Sequence, residues 1–402
     1  VFVGTFEIGA ELFSFGASRY LELARWFPSV LAFGGYGNER EARVMCRTLM
    51  AKTSDERDWL EDRRGWRQYF DIEVPRNPVL IELGGAITIL DSDGGGYIDA
   101  TIRDHGLAPG WHAAHVHVID KKDLIRHKRA LLQESSWTMA GRARLARRAK
   151  RLGIRLGPPV RVPVRIIGDS EKVGIISDVD DTIVVTDVPR PLLAARNAFV
   201  TRPSDRKPVP GMAHFLQSLR VVALRAAGTR TPGWLSTRAD EPVASIPPPA
   251  IYLSTGAWNT APMLRKFLRH MGFPLGTVLL RPWGITDTGF PPSGIEHKLG
   301  QFARLTEMVP HVKWLLLGDD GQHDPLIFTK IGEQYPDRVA GVFLHCLSKR
   351  EHVLAHGSLQ PMEQTPQMPP GIPVVLGDDG FTLTEKIHSE QFEAVLSNLL
   401  RS

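Results

Sequence analysis

Beyond Val164 short apolar runs alternate with helix-patterned segments. Val173 to Ser177, Ala250 to Leu253, Thr277 to Leu280, Val312 to Leu317 and Val339 to Leu344 read as strands, and GMAHFLQSLRVVAL and APMLRKFLRHM lie between them. A strand that returns through a helix pairs most readily in parallel, and helices on both faces bury the strands, which explains continuous apolar runs in place of polar alternation. The expectation is an α/β fold, a doubly wound parallel sheet, over residues 169–348.

Upstream the pattern is different. From Phe70 to Asp120 come VLIEL, AITIL and DSDGGGYIDATI, apolar runs separated by glycine and aspartate turn signals. These predict a small antiparallel β-sandwich-like domain over residues 70–168, with HAAHVHVID and VRVPVRIIGD as its last two strands. Residues 1–69 are read as a helical or irregular amino-terminal segment. Residues 349–402 are read as a carboxyl-terminal extension, running through SLQPMEQTPQMPPGIP to the helical pattern FEAVLSNLL.

Charge is uneven along the chain. The formal charge is +5 and the pI about 9.2. Lys121, Lys122, Arg126, Lys128 and Arg129, then Arg142, Arg144, Arg147, Arg148 and Lys150, stand against Asp123 and Glu134 alone. The stretch 121–155 reads as a basic insertion between two strands. It is either a solvated face or an electrostatic handle, over 121–151, for an anionic membrane; nucleic acid is not expected. Cys46 and Cys346 are far apart and signal neither a disulfide framework nor a zinc site. No apolar run is long enough to span a bilayer, and Glu7 and Glu11 argue against a secretory leader. The expected location is the cytoplasm, with peripheral contact at the inner membrane face.

The chemistry-bearing residues fall at strand ends. VGIISDVDDTIV places Asp178 at the end of an apolar run, with Asp180 and Thr182 behind it. Open parallel sheets bind ligands outside the carboxyl ends of their strands. Two carboxylates about 4 Å apart repel by roughly 4 kcal/mol at an effective dielectric near 20, a cost that a bound Mg²⁺ removes. Ala250 to Leu253 ends in Ser254, Thr255 and Gly256, which offer a hydroxyl and backbone N–H groups to phosphoryl oxygens. Lys298, in IEHKLGQFARLTEM, supplies a point charge. KWLLLGDDGQHDP ends a third run in Asp319, with Asp324 close behind. Trp258 and Asn259 follow the Ser254 loop and are candidates for substrate contact. The acidic turn at Asp91 is a poor calcium loop, since Gly95 and Ile102 stand where ligands belong.

This ordered set, D-x-D-x-T, then S/T, then K, then G-D-x-x-x-x-D, resembles the haloacid dehalogenase superfamily over roughly Val164 to Ser348. Closer still, GYG near Tyr36, SDVDDTI, PVPGM at Pro208, YLSTGAWN at Tyr252 and LLGDDGQHDP resemble the actin-patch-protein type of phosphatidate phosphatase family and its bacterial relatives. The segment STGAW departs from the SNSPW-like version of eukaryotic members. The resemblance implies a Mg²⁺-dependent phosphatase with Asp178 as nucleophile and Asp180 as acid and base. It implies a metal site from Asp178, Asp180 (through its carbonyl), Asp319 and Asp324, with Ser254 and Lys298 holding the transferring oxygens. Thr182, Thr255, Gly256, Trp258 and Asn259 complete the expected substrate contacts. The expected substrate is phosphatidate or a related lipid phosphate. Alternatives are a soluble small-molecule phosphatase and a non-catalytic module that binds a membrane surface. Residues 183–250 are expected to form whatever covers the site.

Overall fold

The amino-terminal strands are β1 (Phe27–Gly37), β2 (Glu41–Ala51), β3 (Pro78–Leu83), β4 (Ala86–Asp91), β5 (Tyr97–Arg103), β6 (Gly110–Val118) and β7 (Val160–Ile166). They form a sheet of order β4-β3-β6-β7-β1-β2-β5. Every neighbouring pair is antiparallel except β1 beside β7. This computed structural model describes residues 27–51, 73–120, 123, 147–185, 207–228, 247–282, 292–321, 323–348 and 365–401. The two edges of the sheet approach each other, because Gly85 N–H, in the β3–β4 turn, donates to the His105 carbonyl just past β5 at 3.1 Å. The result is one rolled sheet in place of two stacked ones.

Residues 27–51 correct the expectation of a helical or irregular segment over 1–69: they are the two longest strands of this sheet. Their sequence hides this because β2 is buried on both faces. Ala42, Val44 and Cys46 enter the sheet's own core with Val30, Ile81, Ile98, Val116 and Val162. Arg43, Met45 and Arg47 point the opposite way, as alternation along a strand requires. Two buried arginines break the apolar run while both faces stay covered, so no strand periodicity survives.

The basic insertion lies mostly outside the described residues. Its carboxyl end is docked on the sheet, where Ala149 and Ile154 pack with Leu80, Ile89 and Ile119. Arg155 pairs there with Asp120 and Asp123 at 2.5 and 3.1 Å.

The second half adds β8 (Val173–Ser177), β9 (Ala250–Ala257), β10 (Thr277–Arg281), β11 (Lys313–Asp319), β12 (Val339–His345) and β13 (Val374–Gly377). These form an all-parallel sheet of order β10-β9-β8-β11-β12-β13. The helices are α1 (Met212–Ala226), α2 (Ala261–His270), α3 (Gly294–Met308), α4 (Asp324–Gln334), α5 (Gly380–Ile387) and α6 (Glu390–Arg401). The carboxyl-terminal extension is thereby built into the α/β half. β13 extends the sheet, and Leu383, Ile387, Phe392 and Leu396 join its core. A four-residue edge strand after a proline-rich stretch has too short a pattern to read.

The two halves share a core. Leu31, Phe33, Tyr36, Met45 and Leu49 on the outer face of the rolled sheet belong to the same cluster as Ile175, Leu253, Leu279 and Trp314. Among the described residues no helix is long and apolar enough to cross a membrane.

Candidate active site

Parallel strands end along one edge, and there Asp178 just past β8, Ser254 in the last half of β9 and Asp319 at the end of β11 come together. Asp178 follows β8, with its N–H donating to the Leu317 carbonyl of β11 at 2.8 Å. The chain then turns tightly. Ile183 and Val184 both donate to the Val179 carbonyl, and Asp181 takes a left-handed conformation (φ 59°) that aspartate tolerates better than most residues. His345 Nδ1 lies 2.6 Å from the Asp181 carbonyl, tying the turn to the end of β12. The turn brings Thr182 Oγ1 to 3.4 Å from Asp178 Oδ2.

Lys298, on the second turn of α3, reaches Asp178 Oδ1 at 2.6 Å and also pairs with Asp324 Oδ1. Helix α3 starts firmly because Ser293 and Glu296 form reciprocal capping bonds. Gly294 lets its first turn abut the Ser254 loop, since a Cβ there would lie 2.9 Å from Thr255 Cγ2. Asp319 ends β11 and its Oδ1 accepts from Gly321 N–H at 2.9 Å. Gly318 is required by close approach, because a Cβ would meet Asp324 Oδ2 at 2.4 Å.

One oxygen each from Asp178, Asp319 and Asp324 lies within 4.8 Å of the others, all on buried side chains. Three acids against one ammonium is an unbalanced cluster. Burial pushes the Asp178 carboxyl up to about 8; Lys298 pulls it down, while Asp324 and Asp180 push it up further. Burial, then Asp324 and Asp178, hold Asp319 well above the carboxylate range. Burial alone would favour neutral Lys298, but Asp178 and Asp324 outweigh it and keep the ammonium. Among the described residues Asp319 Oδ2 and Asp324 Oδ2 are buried without a hydrogen-bond partner. Such orphaned oxygens cost free energy unless something meets them. A hard divalent cation, which takes oxygen ligands and brings positive charge, fits this donor set.

Asp180 stands beside the cluster, half-buried, and accepts from Ser254 Oγ at 3.0 Å. Ser254 Oγ accepts in turn from Gly256 N–H at 2.9 Å. Thr255 is exposed and Gly256 partly so. The structure thus gathers Asp178, Asp180, Thr182, Ser254, Lys298, Asp319 and Asp324, with Thr255 and Gly256 on the adjoining loop.

Trp258 and Asn259 are a correction. Trp258 stacks on Phe33 of β1 with ring centroids 4.6 Å apart, and Asn259 Oδ1 accepts from Arg47 Nη1 at 2.7 Å. Both are buried against the rolled sheet, so they anchor the end of β9 from behind and have little surface left to meet a substrate.

Three residues that sequence reasoning passed over support the site. Buried Arg43 binds Asp99 at 2.7 Å and donates to Gln301, one turn beyond Lys298 on α3. Arg47 grips Glu73 at 2.6 Å besides Asn259, with its guanidinium over the Tyr97 ring. His297 is pushed down to about 4 by burial, then by Arg281, Arg43 and Lys298, and bonds the Ser254 backbone. It stays neutral and ties α3 to β9. The sequence hint was a pair of arginines four positions apart in a largely apolar stretch. Arg47→Met should cost about 1–3 kcal/mol by removing the bonds its guanidinium makes to the Gly95 carbonyl, Asn259 and Glu73; an unshifted midpoint in denaturant unfolding would contradict this.

The class this defines is an α/β protein with a candidate cation-binding carboxylate site at the carboxyl edge of a parallel sheet. Residues 173–346 match the family model described as "Phosphatidate phosphatase APP1, catalytic domain". That segment, less than half of the chain, is similar to the APP1-type phosphatidate phosphatase catalytic domain. A curated relative, "Phosphatidate phosphatase APP1" of Saccharomyces cerevisiae, is 26% identical over 178 residues. The match covers 44% of this chain and 26% of the yeast protein.

Proposed function

We propose that the chain is a Mg²⁺-dependent phosphatase of the haloacid dehalogenase type, acting on phosphatidate or a related lipid phosphate through an aspartyl-phosphate. The observation that carries this reading is the buried meeting of Asp178, Asp319, Asp324 and Lys298 at the ends of β8 and β11 and the start of α4. The name of the matching family supports the substrate class.

In this reading Asp178 Oδ attacks phosphorus and the bond to the ester oxygen breaks, so one difficult displacement becomes two easier ones. Asp180 gives a proton to the departing alcohol, then takes one from the water that releases phosphate and restores Asp178. The Ser254 hydroxyl and neighbouring N–H groups hold phosphoryl oxygens, and Lys298 balances their charge against Asp178. Asp178, Asp319 and the Asp180 carbonyl would hold Mg²⁺, with Asp324 orienting that set. When bound, the ion supplies charge neutralisation for phosphoryl oxygens.

Asp180→Asn should lower kcat by about 10²–10⁴-fold, with the greatest loss on esters of poor leaving groups. A kcat unchanged on an alkyl phosphate would remove Asp180 from this role. Mg²⁺ at 100 times its dissociation constant should stabilise the fold by about 2.7 kcal/mol. Thermal unfolding with and without EDTA measures this, and Asp319→Asn should shrink the difference; an equal shift in the variant would place the ion elsewhere. The function itself is tested by phosphate release from purified protein across lipid and soluble monoesters. Turnover of phosphatidate above soluble esters supports the reading, and turnover of soluble esters alone replaces its substrate.

The expected cover over residues 183–250 falls largely outside the described residues. Its described ends stand beside the site, where Val185 N–H donates to the Lys207 carbonyl and Val209 N–H to Ile183.

A further inference from the structure

A second concavity lies where β1 and β7 of the rolled sheet face α2 and the turn leading into β10. It has a volume of about 520 Å³, within the range of about 300–1,000 Å³ usual for small-molecule sites. Leu31, Trp111, Phe273 and Leu275 contribute apolar wall, and Leu275 is 60% exposed. The charged residues on the wall are Arg161, Arg265, Lys266 and Arg269, with no acid among the described residues that line it. Arg265 is committed to the sheet, donating to the Ala32 carbonyl at 2.7 Å. Arg161 and Arg269 are exposed.

We propose that this cleft binds one long-chain anionic amphiphile, its head group between Arg161 and Arg269 and its chain along Trp111, Phe273 and Leu275. An apolar trough whose described charged residues are all cations is complementary in charge and polarity to such a molecule and to neither a polar anion nor a cationic amphiphile. The position sets this ligand apart from the substrate. Pro274 to Gly276 precede β10, at the amino ends of the parallel strands, whereas Asp178 and Asp319 lie at the carboxyl ends. A bilayer seated on the cleft would hold the acidic cluster away from itself, so the occupant is a single molecule and the cleft is an accessory site.

The test uses the full chain and dodecanoate, a carboxylate with no phosphate to hydrolyse, titrated calorimetrically below its micelle-forming concentration. The expected result is one site per chain, equal in wild type and Asp178→Asn, and about tenfold weaker for decanoate because two methylenes are lost. Dodecyltrimethylammonium, with the same chain and opposite charge, should bind at least tenfold more weakly. Arg161→Glu with Arg269→Glu, and separately Leu275→Asp, should each weaken dodecanoate binding at least tenfold. These side chains are exposed, so an unchanged thermal midpoint checks that the fold is kept. The proposal is overturned by no binding to wild type, by equal affinity for the cationic amphiphile, or by displacement with inorganic phosphate. Binding to anionic vesicles without binding of monomeric dodecanoate overturns it too, in favour of a membrane-docking face.

Discussion

Asp178→Asn should remove turnover by about four to six orders of magnitude, as loss of a catalytic nucleophile does. The change keeps the side chain's shape, so packing against Lys298 and Thr182 is preserved. It also removes one of three acids crowded around a single ammonium. The metal-free variant is therefore expected to unfold at the same temperature as wild type or higher. Phosphate release and thermal unfolding together separate this outcome from misfolding. Near-normal turnover, or a collapse in stability, would contradict the role given to Asp178.

Lys298→Met has the opposite signature. Among the described residues Lys298 is the cation paired with both Asp178 and Asp324. Removing one partner of a buried ion pair leaves uncompensated charge and costs about 3–5 kcal/mol. Methionine fills a similar volume, so the loss reads electrostatics more than packing. Activity should vanish and the unfolding midpoint should fall. Because the cost comes from carboxylates left facing one another, Lys298→Met combined with Asp178→Asn should recover part of it, a coupling a double-mutant cycle measures. Strict additivity of the two changes would show that Lys298 does not neutralise Asp178.

The parts of the molecule legible in sequence are those buried on both faces by local pattern. All five runs read as strands beyond Val164 became strands of one parallel sheet, since a continuous apolar run flanked by helical periodicity has few other solutions. The site was legible for a related reason. Asp178, Ser254 and Asp319 each follow or close such a run, and parallel strands align their ends wherever the intervening chain wanders. Lys298 could be placed on a helix by pattern and Asp324 just behind a strand end, and the structure seats Asp324 at the start of α4 and pairs the two.

What failed depended on partners distant in the chain. β2 could not be read because Arg43 and Arg47 are satisfied by Gln301 and Asn259, more than 200 positions away. The same contact turned Trp258 and Asn259 from the expected substrate face to the back of their loop. No local period encodes that orientation; it is set by which sheet packs behind β9. The rolled sheet is consequently more than an appendage in physical terms. Through Arg47 it holds the loop bearing Ser254, and through Arg43 it holds the helix bearing Lys298.

A covalent bond between phosphorus and one side chain is the step that sets this mechanism apart from direct attack by water. Purified protein mixed with Mg²⁺ and a phosphate monoester, quenched in acid within the first turnovers and weighed intact, should contain a fraction one phosphoryl group heavier. Peptide mapping should place that group on Asp178. A protein that releases phosphate yet never gains that mass, or that carries it on another residue, would contradict the account.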